Sequence, residues 1–403
     1  MSSRRELFIN HVAQTSELPL QLEVERAKGM YIYDTQGKAY LDLNSGISVS
    51  SLGHCHPAVV EAIKKQSETF MHTMVYGEHI QQPQLNFAQL LTSQLDPRLS
   101  KVYYLNGGSE AIELAIKLIR RHTGRYKIVA CRNAYHGSTL GAESLRSDTE
   151  FTRAFLPGIP GIYHIDFNNP EELETIDCRT AGIILEPVQA ESGIHPPVND
   201  YLKMVRSRCD EVGALMVLDE IQTGFGRTGH LFGHHKYGVV PDIMLIGKAM
   251  GGGMPISGVV SSVEIFSSII KNPALGHITT FGGHPVICAA AHASLEHILD
   301  TGLHTRVLEK EKLILELLKH PIIKEIRSSG LMMAVELTRR KYLKHVVSKA
   351  FELGALVDYF LFNARSFRLA PPLIINEEQI RKGCAILLEA MNYAENRYKK
   401  TNN

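Results

Sequence analysis

Lys248 closes the segment DIMLIGK, directly behind the apolar run Ile243 to Ile246 and Gly247, and Gly251 to Gly253 follow almost at once. A lysine amine between a buried strand and backbone bare of side chains can condense with a carbonyl to a Schiff base, once burial or nearby charge suppresses its proton. Asp219 ends a second apolar run, ALMVLD at 214–219. A carboxylate there can hold a buried cation, ligate a metal or cap a helix. In YLNGGSEAIELAIKL, residues 104–118, a strand pattern passes through a small-residue turn into an amphipathic helix. Free N–H groups and the dipole make such a helix start an anion site, and glycine lets phosphate oxygens reach the backbone. Taken alone, Ser109 is an ordinary N-cap and Lys248 an ordinary solvent lysine. Together the amine, the carboxylate and the phosphate cup, each at the end of a different strand, meet the needs of pyridoxal phosphate: an imine partner, a counter-charge for the pyridine nitrogen and an anion site.

Other motifs are weaker. TGFGRTG at 223–229 matches G-x-G-x-x-G and raises a nicotinamide-dependent oxidoreductase as a rival. Four residues separate it from its strand, no firm helix follows, and no βαβ unit with an acidic ribose partner is evident. No G-x-x-x-x-G-K-[ST] occurs. GHCHP at 53–57 lacks a metal-ligand spacing, so no metal site is expected. The six cysteines contain no C-x-x-C pair and read as free thiols in a reducing compartment.

These residues need a frame. Short, β-branched apolar runs at 101–105, 126–130, 182–187, 214–219, 242–247 and 257–262 read as strands covered on both faces. Helical patterns at 109–122, 170–177 and 199–212 alternate with them, which predicts an α/β fold with a mostly parallel central sheet. Ligands bind such sheets at the carboxyl ends of the strands. Asn106 to Glu110, Tyr135 to Thr139, Glu186, Asp219 and Lys248 all fall there. Beyond residue 286 the texture changes to helices at 286–300, 303–319, 341–353 and 377–396 around strands at 332–337 and 367–371. The division expected is a large cofactor-binding domain over 51–286, a small α+β domain over 287–403, and an N-terminal segment, 1–50, packing with the latter. The chain has 403 residues, 44% hydrophobic and 21% charged, with net charge +1, so no nucleic-acid or anionic-membrane partner is indicated. No apolar run approaches the ~20 residues of a membrane span. The paired arginines of MSSRRELFINHVAQ lack an apolar stretch behind them, so a cytoplasmic protein is expected.

The motifs DLNSGISVSSLGHCHP, LNGGSEAIELAIKL, YHGSTLGA, EPVQAESG, LDEIQTGFGRTG, LIGKAMGGGMPIS, TTFGGHP and FRLAPPL, in this order from about Gly29 to Leu373, make the chain similar to class III aminotransferases of the ornithine/acetylornithine type, within the fold type I pyridoxal-phosphate enzymes. The resemblance accounts for TGFGRTG without a dinucleotide. It implies that Lys248 is the Schiff-base lysine and proton shuttle, that Asp219 pairs with the pyridinium and that Gln222 bonds the phenolic oxygen or its surroundings. It implies that Tyr135 stacks on the ring, that Gly108 and Ser109 give N–H groups to the phosphate, and that Glu186 supports the site. Thr280 matches a threonine that reaches the phosphate of the neighbouring subunit, so a homodimer with shared sites is implied. Arg368 matches the arginine that grips the carboxylate of glutamate and 2-oxoglutarate, and Glu191 the acid that pairs with it when another substrate enters. Two departures stand out. Ser138 replaces an arginine that binds the donor's α-carboxylate, and His284 replaces an asparagine. The activity implied is transfer of an amino group from a terminal-amine donor, ornithine/acetylornithine-like or another ω-amino compound, to 2-oxoglutarate. A decarboxylase or aminomutase of the same fold is the alternative.

Overall fold

A computed structural model describes residues 3–402. Its centre is a seven-stranded sheet ordered Lys101–Leu105, Ser257–Ser261, Ile243–Ile246, Leu215–Asp219, Thr180–Leu185, Lys127–Cys131 and Ile162–Ile165. From Ile243–Ile246 to Ile162–Ile165 all neighbours are parallel; Ser257–Ser261 runs antiparallel to both of its neighbours. Every residue of Lys127–Cys131, Thr180–Leu185 and Ile243–Ile246 is buried. Helices cover both faces of such strands, and that is why they are apolar without alternation. The edge strand Ile162–Ile165 escaped the sequence reading because Tyr163 and His164 interrupt its apolar character.

Helix Gly108–Thr123 buries Ala111, Ile112, Leu114, Ala115, Ile116, Leu118 and Ile119 on the sheet. The i, i+3, i+4, i+7 spacing puts them on one broad face. Gly124 stops the helix at φ 68, and Arg120, Arg121 and His122 complement the dipole of its last turn. Leu114, wholly enclosed, anchors this face; truncation to alanine costs about 2–5 kcal/mol. The helix expected at 170–177 is a 3-10 segment, Pro170–Thr175, capped by Asn169. The pattern at 303–319 is likewise split, into a 3-10 turn, Leu303–Arg306, and helix Val307–Leu317.

Helix Pro285–Asp300 begins at the expected domain boundary. Helix Pro285–Asp300 buries Cys288, Ala290, Ala291, Leu295 and Ile298 in one core with Val59, Phe87, Leu91 and Met250. Its small residues fit against helices Pro57–Thr69 and Gln82–Thr92. A second core joins Met30, Leu41 and Leu43 to Val307, Val335, Phe367, Leu387 and Met391. Strands Val24–Lys28, Tyr31–Asp34 and Ala39–Asp42 form a small sheet that Ala355–Leu356 completes in parallel. A third, antiparallel sheet contains Met333–Leu337 and Ser366–Leu369.

Candidate functional site

The parallel strands deliver their last residues to one edge of the sheet. Asp219 ends its strand, Glu186 directly follows Thr180–Leu185, and Lys248 stands two residues past Ile243–Ile246. Gly108 opens the helix beyond Lys101–Leu105, and Tyr135 lies in the turn after Lys127–Cys131. These residues, with Ser109, His136, Gly137 and Gln222, enclose a cavity of about 210 Å³.

Lys248 has φ 47, a left-handed conformation rare outside glycine. A residue held there by its surroundings is a mark of a functional site. Its Nζ donates to Gln222 Oε1 at 3.2 Å. Burial lowers the lysine pKa below its ordinary value; Glu191 opposes this, Arg368 adds to it, and Asp219 and Glu186 oppose it more weakly. The net effect favours the neutral, nucleophilic amine.

Asp219 accepts from Ile221 N at 3.0 Å through Oδ1, and its Oδ2 lies 2.7 Å from His136 Nδ1. Both side chains are almost wholly enclosed. Burial works against a charged His136, but the hydrogen bond and charge of Asp219, with Glu186, raise its pKa overall. Burial pushes the Glu186 carboxyl up to about 8, with His136 opposing and Asp219 reinforcing the shift. The shift favours the protonated form of Glu186. Its Oε2 lies 2.9 Å from the N–H of Ala190.

Three buried polar atoms of these lining residues have no hydrogen-bond partner: Glu186 Oε1, His136 Nε2 and Gln222 Nε2. Enclosed polar atoms are nearly always paired, so three orphans around one cavity mark the place of a polar ligand. The anion end fits as well. Helix Gly108–Thr123 has no side-chain cap. A Cβ on Gly108 would press on Ile221, and one on Gly137, at φ +132, would collide with Ser109 Oγ. Ser109 Oγ instead accepts from Ser138 N at 3.2 Å. The donor set of a free amine, an enclosed carboxylate, an uncapped helix start and a flat aromatic fits pyridoxal phosphate.

Ser138 sits beside the cavity, its Oγ 3.1 Å from Tyr135 Oη. Arg368, in strand Ser366–Leu369, binds Glu191 Oε1 through Nη2 at 2.6 Å, and both are buried. Its Nε and Nη1 have no hydrogen-bond partner, and the guanidinium lies 4.6 Å from the centroid of the Phe360 ring. Glu191 Oε2 accepts from Leu361 N at 3.3 Å. Thr280 does not line the cavity; it is exposed, and its carbonyl lies 2.9 Å from His72 Nε2. His284, at the head of helix Pro285–Asp300, lies 5.7 Å from His72 ring to ring.

Two residues went unread in the sequence. His136 was legible only as the neighbour of Tyr135 in YHGS. Arg227, within TGFGRTG, is wholly enclosed. It donates to the carbonyls of Leu331 and Pro371 at 2.9 and 2.6 Å and to the hydroxyls of Ser45 and Ser51 at 3.3 and 3.1 Å. Burial lowers its pKa to about 9. The apparent dinucleotide fingerprint is therefore a structural pin. Among the described residues no cluster of His, Cys, Asp or Glu could hold a metal ion, and no helix is long and apolar enough to cross a membrane.

Comparison with known proteins gives one answer throughout. Residues 12–391 match the family described as Aminotransferase class-III. An acetylornithine aminotransferase of Caldanaerobacter subterraneus subsp. tengcongensis is 39% identical, over 91% of this chain and 94% of its own. Another, of Methanocaldococcus jannaschii, is 41% identical over 92% and 93%. The crystal structure of an ornithine aminotransferase from Toxoplasma gondii, with partial occupancy of PLP at its active site, superposes with a TM-score of 0.91 at 30% identity, covering 98% of this chain and 95% of that one.

Proposed function

The chain belongs to the class III aminotransferases, pyridoxal-phosphate-dependent transaminases, and within them we propose that it passes the amino group of a terminal-amine donor to 2-oxoglutarate, giving glutamate. The observation that carries the reading is the buried Glu191–Arg368 pair at 2.6 Å, close enough to Lys248 for both charges to act on its amine. A site that must take a dicarboxylate needs a guanidinium, and a site that must also take a different donor needs a way to neutralise it. Glu191 can do this by turning toward Arg368 or away.

When bound, pyridoxal phosphate supplies the electron sink that lets a C–H bond beside nitrogen ionise. Lys248 Nζ would hold the cofactor and, once displaced by the substrate amine, would carry the proton from the substrate carbon to the cofactor's exocyclic carbon. Asp219, fixed by His136, would set a carboxylate against the pyridine nitrogen. Gln222 Nε2 and Glu186 Oε1, both without a hydrogen-bond partner, would serve the phenolic oxygen side of the ring. Gly108 and Ser109 offer backbone N–H groups to the phosphate, and Tyr135 covers the ring. Arg368 fixes the far carboxylate of 2-oxoglutarate. The exposed Met71, Ile278 and Phe281 near Thr280, and an apolar cleft of about 600 Å³ beside Tyr103 and Phe266, support pairing with a second copy. In that dimer Thr280 would reach the partner's phosphate. Six free cysteines support a cytoplasmic setting.

The donor is class-typical at its amine end. Ornithine, acetylornithine, lysine, diamines and ω-amino acids, each offered with 2-oxoglutarate, test the reading by the glutamate formed. Glutamate from at least one is expected. Cofactor-loaded protein that forms none with any donor, and is not reduced in visible absorbance by glutamate, refutes the acceptor assignment.

A further inference from the structure

Arg146 has no role so far. It follows the short helix Leu140–Glu143, and its side chain is only 4% exposed. Nε donates to Asp148 at 2.8 Å and Nη1 to Glu143 at 3.3 Å, while Nη2 is buried with no hydrogen-bond partner. Three rings surround the guanidinium, with centroids at 5.1 Å for Phe151, 5.3 Å for Phe362 and 5.7 Å for Tyr135. Phe151 and Phe362 meet edge to face at 6.3 Å. An enclosed N–H without an acceptor is costly, and the negative faces of the rings compensate.

Two of these rings belong to the site. Tyr135 lines the cofactor cavity. Phe362 lies on the loop that holds the gate acid: its N–H donates to the Glu191 carbonyl at 3.1 Å, and that of Leu361 to Glu191 Oε2 at 3.3 Å. Glu191 Oε1 in turn holds Arg368. Direct contacts therefore run from Tyr135 through Arg146, Phe362 and Glu191 to Arg368. The two carboxylates keep Arg146 from swinging away. For a dicarboxylate to capture Arg368, Glu191 must let go of both Arg368 and Leu361 N, and the segment bearing Leu361 and Phe362 is held against Arg146.

We propose that Arg146 is a positioning residue that couples Tyr135 to the Glu191–Arg368 pair through Phe362, and so sets how readily the site exchanges one substrate for the other. The inference rests on the transamination reading above. By holding the loop, Arg146 favours the paired state, which suits a donor without a carboxylate at Arg368. It thereby taxes the binding of 2-oxoglutarate. A residue that merely glued the 144–158 segment to the surface would affect stability without affecting that balance.

The holoenzyme tests this with Arg146→Leu, Phe362→Leu and Arg146→Lys. Glutarate, an unreactive dicarboxylate, is titrated by calorimetry, the two half-reactions are timed in single turnovers, and thermal melts report folding. Arg146→Leu and Phe362→Leu should each tighten glutarate about threefold to tenfold, the span of a cation–π contact, and lower the donor half-reaction relative to the glutamate half-reaction by a similar factor. Arg146→Lys, still cationic, should restore most of the balance. The double variant Arg146→Leu/Phe362→Leu should shift no further than either single one, since both remove the same contact. Phe362 is only half-buried, so its variant remains folded and informative. Unchanged glutarate affinity in folded Phe362→Leu overturns the coupling. A wild-type enzyme that neither binds glutarate nor reacts with glutamate overturns instead the transamination reading, and the coupling with it.

Discussion

Replacing Glu191 with glutamine removes one charge and almost no volume. In the parent, Glu191 Oε1 lies 2.6 Å from Arg368 Nη2, and the two side chains are 8% and 1% exposed. Unit charges centred about 4 Å apart, at an effective dielectric constant of ~20, attract by about 4 kcal/mol. A glutamine oxygen can keep the hydrogen bond, worth about 1 kcal/mol. Roughly 3 kcal/mol of competition with an incoming carboxylate is thus relieved, up to about a hundredfold in affinity. The KM for 2-oxoglutarate and for glutamate should fall about tenfold to a hundredfold. The donor half-reaction should slow by a comparable factor, because a donor without a carboxylate then meets an uncompensated buried guanidinium. The assay follows the cofactor's visible absorbance in single turnovers, with glutamate and with each amine, so the half-reactions are read separately. An unchanged glutamate KM together with an unchanged donor rate refutes the switch.

Lys248→Ala should lose the visible band of covalently held cofactor and at least a hundredfold to ten-thousandfold in turnover, the usual worth of a positioned acid–base group; absorbance and glutamate formation check both. Glu186, whose folded pKa of about 8 exceeds the usual carboxyl value, carries an ionisation cost that is absent at pH 4 and grows as pH rises toward 8. In cofactor-stripped protein Glu186→Gln should therefore gain stability on the parent at pH 8, by at most on the order of 5 kcal/mol, and none at pH 4, as read from urea midpoints. Ser138→Arg should raise kcat/KM for ornithine-like donors, which bear an α-carboxylate, by about tenfold, the worth of a charged hydrogen bond; steady-state kinetics with ornithine and a carboxylate-free diamine decide it.

What the sequence disclosed and what it withheld divide along one physical line. Lys248, Asp219 and Glu186 could be placed because each lies at or just past the end of a continuous apolar run, and a parallel sheet gathers such ends. The helix at Gly108–Thr123 was legible, as 109–122, from its amphipathic spacing. His136 was not, because the carboxylate that gives it meaning is 83 residues away. Arg227 was read as part of a glycine motif, while its partners lie 104 to 182 residues off in sequence. The periodicity of helix Pro285–Asp300 says that it has a buried face but not that Val59, Phe87 and Leu91 cover it. Arg146 carried no signal in the sequence, because the three rings that close on it come from distant or irregular segments.

The shared core of Met30, Leu41 and Leu43 with Val307 through Met391 has a consequence for synthesis. Those early residues leave the ribosome long before the surface they belong to exists. At 5–20 residues per second, the intervening ~260 residues take roughly 13 to 52 s. Arg227 waits too, since two of its acceptors, the carbonyls of Leu331 and Pro371, come from the last quarter of the chain. Strands Val24–Lys28, Tyr31–Asp34 and Ala39–Asp42 can pair with one another early, but Met30, Leu41 and Leu43 stay uncovered through that interval, so the demand on chaperones is greatest late in translation and at this small sheet.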